Sequence, residues 1–415
     1  MSEWREVTIG ELCKEGGGNV QTGPFGSQLK ASAYVADGIP TIMPANLVDF
    51  RISEEGIARI SPEDLARLAK HQLRSGDIVY GRRGDIGRHA LVTEKETGWL
   101  CGTGCLRIRF GDTEVDPRYV SYYLRQPYVI DLILSMSVGT TMPNLNTAII
   151  NSVPLRIPPL PVQRRIARIL GRLDDKIDAN RRINRALEAM ARALYRHWFV
   201  DFGPFQDGDF VESELGLIPK GWEVRTVYSL ANFINGMAFK PKDLSSDPED
   251  GLPVIKISEL NRRFPNSTTR YFGYEYKSKY ELVSGDVLFA WSASLGIYLW
   301  THGKALLNQH IFNVKPNGSL GKSVLYFLLK HVIDEFVAIA AARRTTMGHI
   351  KKSHLQEKLV AIPSAEVLRQ IMPQFDRIFQ MILNIEIESQ KLEATRDFFL
   401  PRLLSGETND FIGDM

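Results

Sequence analysis

The sequence predicts an α+β protein made of two tandem, related α/β heads, each followed by one long helix. The two helices are expected to pair antiparallel as a coiled coil, which gives the chain a pseudo-two-fold symmetry. Three observations predict this. The first half of the chain returns in the second, diverged but in order, roughly two hundred residues on. Both heads mix short β-type runs with Gly, Pro and Asn turns and with helical stretches. After each head, apolar residues recur at alternating steps of three and four, the spacing of a coiled-coil seam.

The repeat is carried by matched fragments. Trp4-x-x-x-Thr8-x-x-x-Leu12 returns as Trp222-x-x-x-Thr226-x-x-x-Leu230, and Gly38-Ile39-Pro40 as Gly251-Leu252-Pro253. Ser75-Gly76-Asp77-Ile78 returns as Ser284-Gly285-Asp286-Val287, Thr140-Thr141-Met142 as Thr345-Thr346-Met347, and Ile157-Pro158 as Ile362-Pro363. Two copies of a long unit make a duplicated domain rather than a solenoid. A duplication gives a monomer the symmetry of a dimer.

The elements follow in order. The first head spans residues 1–161, with strands expected at 39–42, 77–80 and 106–109 and helix at 117–134. The first long helix spans 162–200. Its seam is Ile166, Ile169, Leu173, Ile177, Leu187, Leu194 and Trp198, with Asn180 and Asn184 inserted midway. Pro158, Pro159 and Pro161 fence its start. Residues 201–221, rich in Gly, Pro and acids, show no periodicity and read as a linker. The second head spans 222–365, with strands at 253–257, 286–289 and 311–314 and helix at 322–341. The second long helix spans 366–404, with Ile371, Phe375, Ile378, Ile382, Ile385, Leu392 and Phe399 as its seam. Pro373 is expected to kink it, and Pro401 to stop or bend it. Residues 405–415 form a tail. Neither helix is stable alone, so each needs the other. The first helix leaves head one for head two and the second must return, which makes them antiparallel. About 39 residues at 1.5 Å each give a bar of roughly 58 Å.

Composition sets the class. The chain has 415 residues, 44% hydrophobic and 24% charged, as in ordinary globular proteins. No apolar run reaches the roughly 20 residues that span a membrane, and the N-terminus lacks the pattern of a secretory signal. Three cysteines suggest reduced thiols and a cytoplasmic location. The net charge of +3 is modest, but residues 162–200 hold ten Lys and Arg against four Asp and Glu. That excess suits a polyanion or an acidic partner, or else a solvated helix face.

Catalytic motifs are missing from the sequence. It holds no G-x-x-x-x-G-K-S/T and no G-x-G-x-x-G after a strand. It also lacks the Asn/Asp-Pro-Pro-aromatic motif that holds a target amine. Glu275-Tyr276-Lys277 has the E-x-K spacing of metal-dependent nucleases without a nearby Pro-Asp. Cys101 and Cys105 lack a completing histidine pair, and the eight histidines form no H-E-x-x-H. His89, His197, His302 and His310 read as structural or solvent-facing. No metal or other cofactor is expected.

Fragments in order then carry a resemblance. They are Thr22-Gly23-Pro24-Phe25-Gly26-Ser27, and Gly76-Asp77-Ile78-Val79 leading to Arg82-Arg83-Gly84-Asp85-Ile86-Gly87. Ile157-Pro158-Pro159-Leu160, Leu194-Tyr195-Arg196-His197-Trp198-Phe199-Val200-Asp201-Phe202, Glu214-Leu215-Gly216-Leu217-Ile218-Pro219-Lys220-Gly221-Trp222 and Pro401-Arg402-Leu403-Leu404-Ser405-Gly406-Glu407 follow. Along its whole length the chain resembles the specificity (S) subunits of type I restriction–modification systems. Of the family's Glu-Gln pair after the proline step, only Gln163 is matched. The second copy has Asn235-Gly236-Met237-Ala238-Phe239 and Ala290-Trp291-Ser292-Ala293 where the first has its glycine loop and double arginine.

The resemblance implies a non-catalytic adaptor. Each head would be a target-recognition domain for one half of a bipartite site in double-stranded DNA. The helices would set the gap and dock two adenine methyltransferase (M) subunits, with restriction (R) subunits joining; no membrane is involved. A coiled-coil scaffold whose heads bind protein is the alternative, and a stand-alone nuclease a more distant one. Candidate DNA-binding residues in head one are Gln21, Ser27, Gln28 and Lys30 around the glycine loop. Arg82, Arg83 and Arg88 follow a strand, and Thr140, Thr141 and Asn144 lie in a polar loop with Asn146. In head two they are Lys240, Arg343, Arg344, Thr345, His349, Lys351 and Lys352, with His354 beside them. Arginine is the usual bidentate reader of guanine, but contact to phosphate is equally open.

Overall fold

A computed structural model describes residues 4–84, 86–137, 144–247, 249–261, 269–273, 275–292, 294–318, 320–342 and 350–406. Thr140, Thr141, Arg343, Arg344, Thr345 and His349 therefore lie outside the described residues. The chain forms two compact units, residues 1–175 with 392–415, and residues 176–391.

In the first unit a four-stranded antiparallel sheet runs Gly17–Thr22, Cys105–Gly111, Ile78–Gly81, His89–Leu91. Its central strands pair in register, Ile108 opposite Ile78 and Leu106 opposite Tyr80. A second sheet holds Leu100–Cys101, Ile39–Ile42, Ala58–Ile60 and Tyr34–Val35. Arg5–Thr8 pairs antiparallel with Pro154–Ile157, tying the start of the chain to the strand before the long helix. The second unit repeats the plan. Ala231–Asn235, Ile311–Pro316, Val287–Ala290 and Gly296–Leu299 form its four-stranded sheet, and Glu223–Thr226 pairs with Leu359–Ile362.

The repeated motifs have physical roles. Thr8 caps the helix Ile9–Glu15: its Oγ1 accepts from the Glu11 N–H while the Glu11 carboxylate accepts from the Thr8 N–H. This capping box explains the Thr of the repeat, and the burial of Leu12 explains its Leu. In Ser-Gly-Asp, Gly76 and Gly285 adopt φ of +87° and +93°, which favours glycine. The next residue turns its carboxylate back onto the chain, Asp77 onto the Arg74 N–H and Asp286 onto the Val283 N–H. The neighbouring strand completes each turn differently, with Arg109 on Asp77 but Asn313 on Asp286.

The long helices span Leu160–Phe199 and Ala365–Ser405. Gln163 pins the first, its side chain accepting from the Asp116 N–H and donating to the Glu114 and Pro158 carbonyls. Pairing is antiparallel. In the first unit Asp174 meets Arg396; in the second, Asn180 meets Ser389, Asn184 meets Glu386, and Phe199 meets Phe375. The buried face of the first helix is Ile166, Leu170, Ile177, Leu187, Ala191, Tyr195 and Phe199. Ile169, Leu173, Leu194 and Trp198, expected in the seam, sit half-buried beside it.

Three local expectations need correction. The second helix does not stop at Pro401 but runs on to Ser405. One missing hydrogen bond is outweighed by burial of Leu400, Leu403 and Leu404 in the first unit's core. Residues 117–134 are two helices, Pro117–Tyr123 and Pro127–Met136, because Pro127 suits a helix start. The segment 201–221 carries a hairpin, Phe210–Ser213 with Gly216–Pro219. Phe202 and Phe205 pack edge-on against Trp222 beside it.

Candidate nucleic-acid interface

In the first unit the end of strand Ile78–Gly81 gathers three of the expected segments. The Arg82 N–H donates to the Gly104 carbonyl, and the Leu145 N–H donates to the Arg82 carbonyl. Arg83 bridges to Asn144. The Arg82 guanidinium donates through Nε to the Leu145 carbonyl at 3.2 Å and lies 6.0 Å from the Phe25 ring. Burial and the neighbouring Arg83 charge push Arg82 down from its ordinary value. An anion or a carbonyl-rich base edge would relieve that strain on the charged form. Arg83 is exposed, and Phe25 is 56% exposed although apolar.

The other expected residues divide by environment. Ser27, Lys30 and Arg88 are exposed. Gln28 holds its own loop, its Oε1 accepting from the Phe25 N–H at 3.0 Å. Gln21 faces the buried Arg107, whose Nη2 donates to it at 3.0 Å and to Asn19 at 2.6 Å. Asn144 is half-buried, whereas Asn146 caps the helix Thr147–Asn151 by accepting from the Ile149 N–H. His89 is buried between the Gly87 and Ser121 carbonyls, and burial pulls its ring down to about 4. It is a structural group, held by main-chain carbonyls at both ring nitrogens.

The second unit builds the same junction with other side chains. The Trp291 N–H donates to the His310 carbonyl and the Ile350 N–H to the Trp291 carbonyl, so Trp291 stands where Arg82 stands. The Trp291 indole N–H donates to Asn235 Oδ1 at 3.4 Å, and its ring centroid lies 5.6 Å from that of His310. Asn235, Gln309 and His310 are exposed around it. Lys240 and Lys351 are exposed, and Lys352 places its ammonium 4.5 Å from the Tyr228 ring centroid. His354 is buried, its Nδ1 near the Lys351 N–H.

Phe25, Asn235 and Gln309 are not among the sequence candidates, and His310 reads there as a structural or solvent-facing group. Their signal is positional: they sit beside the glycine loop or double-arginine site of each copy. Reactive groups are sparse. Burial raises the Cys13 and Cys101 thiols to about 12, so neither is a nucleophile near neutrality. Among the described residues no cluster of three His, Cys, Asp or Glu could hold a metal. None of their helices is long and apolar enough to cross a membrane.

The model of the type I restriction modification DNA specificity domain matches residues 1–189 and again 219–394. The type I restriction enzyme HindI specificity subunit of Haemophilus influenzae is 24% identical over 98% of this chain and 100% of its own length. The MjaIX specificity subunit of Methanocaldococcus jannaschii is 24% identical over 98% of this chain and 96% of its own. The fold is similar to that of the type I restriction–modification S subunit from M. genitalium. That structure gives a TM-score of 0.55 at 15% identity, covering 97% of this chain and 96% of that one.

Proposed function

The chain belongs to the type I restriction–modification DNA specificity family, and we propose that it reads a bipartite site in double-stranded DNA, one half per head, without catalysing a reaction itself. The observation that carries this is the doubled junction. The family model matches once in each half, and each half presents exposed polar and aromatic groups at the same strand end. Arginine and amide side chains there suit base edges, and the lysines suit phosphates. The first head is taken to span 1–161 and the second 222–365, with the helices at 162–200 and 366–404.

We assign the helices two tasks, setting the gap between half-sites and docking two M subunits, through which R subunits join. Two features support docking. Arg164, Arg168 and Arg172 recur at four-residue steps on the first helix and line a shallow cleft in the first unit with Arg118, Asp116 and Asp175, four guanidiniums against two carboxylates. Further along the same helix, in the second unit, Ile183 and Met190 are exposed on a stripe with Ala186 and Ala193, flanked by Arg182, Arg185 and Arg192. An acidic, amphipathic partner helix fits such a face.

The test is selection from a random duplex pool by this chain co-purified with an M subunit. Enrichment of one bipartite motif with a fixed unspecified gap is expected. Retention of all duplexes alike, or of a single continuous half-site, would overturn the reading.

A further inference from the structure

The two heads place their polar groups on opposite sides of one loop junction, and we infer that the second head reads an A·T pair of its half-site through Gln309 in the loop Asn308-Gln309-His310. The inference rests on the DNA-recognition reading above and assigns chemistry to it.

Main-chain hydrogen bonds fix which residues correspond. The Gly102 N–H donates to the Ile42 carbonyl, and the Asn308 N–H to the Ile255 carbonyl. The Gly23 N–H donates to the Cys105 carbonyl, and the Gly236 N–H to the Ile311 carbonyl. The carbonyls of Gly104 and His310 accept from Arg82 and Trp291. Asn308-Gln309-His310 thus occupies the place of Gly102-Thr103-Gly104.

The exchange is reciprocal. In the first head the strand end carries Arg82 and Arg83, and the loop across from it is nearly bare. A Cβ at Gly102 would lie 2.7 Å from the Ile42 carbonyl oxygen, and Gly104 has φ of +84°. In the second head the arginines are replaced by Trp291 and the buried Ser292, and the loop bears two amides and an imidazole. The guanidinium chemistry suited to guanine is absent from that position. Amide chemistry, which pairs with adenine N6 and N7, stands across the junction instead.

The loop is also held in place. Asn308 turns its Oδ1 onto the His310 N–H at 3.3 Å, and the Gln309 N–H donates to the Met237 carbonyl. The His310 ring is backed by Trp291, and Gln309 Nε2 lies 3.4 Å from His310 Nε2. Asn308 and Trp291 are therefore positioning residues. Gln309 is exposed, with its amide at the end of a fixed backbone.

The experiment uses the full chain with an M subunit and compares wild type with Gln309→Ala and Gln309→Glu. Binding to the selected duplex is measured by fluorescence anisotropy, and the motif by methylation mapping. Gln309→Ala should weaken cognate binding by about 5- to 150-fold, leaving non-cognate affinity and its salt slope unchanged. One A·T position in one half-site, other than the methylated adenine, should relax. Gln309→Glu should move preference at that position towards a C·G pair, since a carboxylate accepts from cytosine N4. Equal loss on every duplex, relaxation at a G·C pair, or an unchanged motif would each overturn the assignment. Failure of the wild-type complex to select any bipartite motif would sink the parent reading instead.

Discussion

Asp174 joins three elements of the first unit, and its removal should be the most damaging single polar substitution there. The carboxylate is 5% exposed. It accepts from Arg125 at 2.8 Å, from the Tyr122 hydroxyl at 2.8 Å, and from Arg396 on the second long helix at 2.9 Å. Asp174→Ala takes from Arg125, whose side chain is only 9% exposed, its carboxylate partner, and leaves Arg396 with Asp397 alone. Removing one partner of a buried pair costs about 3–5 kcal/mol. That is a large part of the 5–15 kcal/mol typical of a domain. The pH dependence has a defined sign. Burial alone would raise the carboxyl, but the two arginines overcome it and hold Asp174 at about 2, below its ordinary 3.8. The stabilisation is complete above the unfolded value and is lost as pH falls through the folded one, a difference of about 2 kcal/mol. Urea denaturation with peptide-resolved hydrogen exchange should show Asp174→Ala destabilising residues 4–175 and 392–406. The deficit of Asp174→Asn against wild type should shrink between pH 4 and pH 2. A cost below about 1 kcal/mol, or a deficit independent of pH, would refute this account of the joint.

Replacing Arg82 and Arg83 with Ala should cost about 1–3 kcal/mol on the half-site read by head one and leave the other unchanged in binding assays. A uniform loss with a shallower salt slope would make them phosphate contacts. Asn180 and Asn184 are 1% and 6% exposed and bond to Glu388, Ser389 and Glu386. Such a layer fixes register at a cost in stability. Asn180→Leu with Asn184→Leu should leave the melting temperature level or higher but broaden the species seen by light scattering. Four residues inserted after Asn180, matched by four after Ile387, add about 6 Å of helix while keeping these pairs. Methylation mapping should then show the gap lengthened by about 1–2 base pairs with both half-sites intact. The isolated chain with S-adenosylmethionine should transfer no methyl group to DNA, as a radiolabel assay would record.

The long periodic elements were legible in the sequence because they rest on local rules. The Thr8–Glu11 helix start and the Gly76-Asp77 turn enter the sequence reading only as repeated residues, and Asp77 there as the first residue of a strand. The hairpin at 210–219 was hidden because its strands are four residues each and lie among Gly and Asp. The helix expected over 366–404 does run through Pro401, because burial of Leu400 and Leu403 overrides a local breaker. The candidate site was half legible. Arg82, Arg83 and Asn144 do converge, with Phe25 beside them. Gln21 was misleading, because nothing local reveals that Arg107 on the adjacent strand takes its oxygen. In head two, positive charge drew attention to 343–352. Gln309 and His310 lie in an uncharged loop, and their correspondence to Thr103 and Gly104 emerges only from main-chain pairing.

The most direct test of the central claim is a base-resolution methylome. A host supplied with an adenine methyltransferase M subunit would be mapped with this chain, without it, and with the Arg82→Ala/Arg83→Ala and Gln309→Ala variants. The account predicts adenine methylation at one bipartite motif only when the chain is present, with the two variants altering opposite halves. Identical methylomes with and without the chain, or both variants altering the same half, would contradict it.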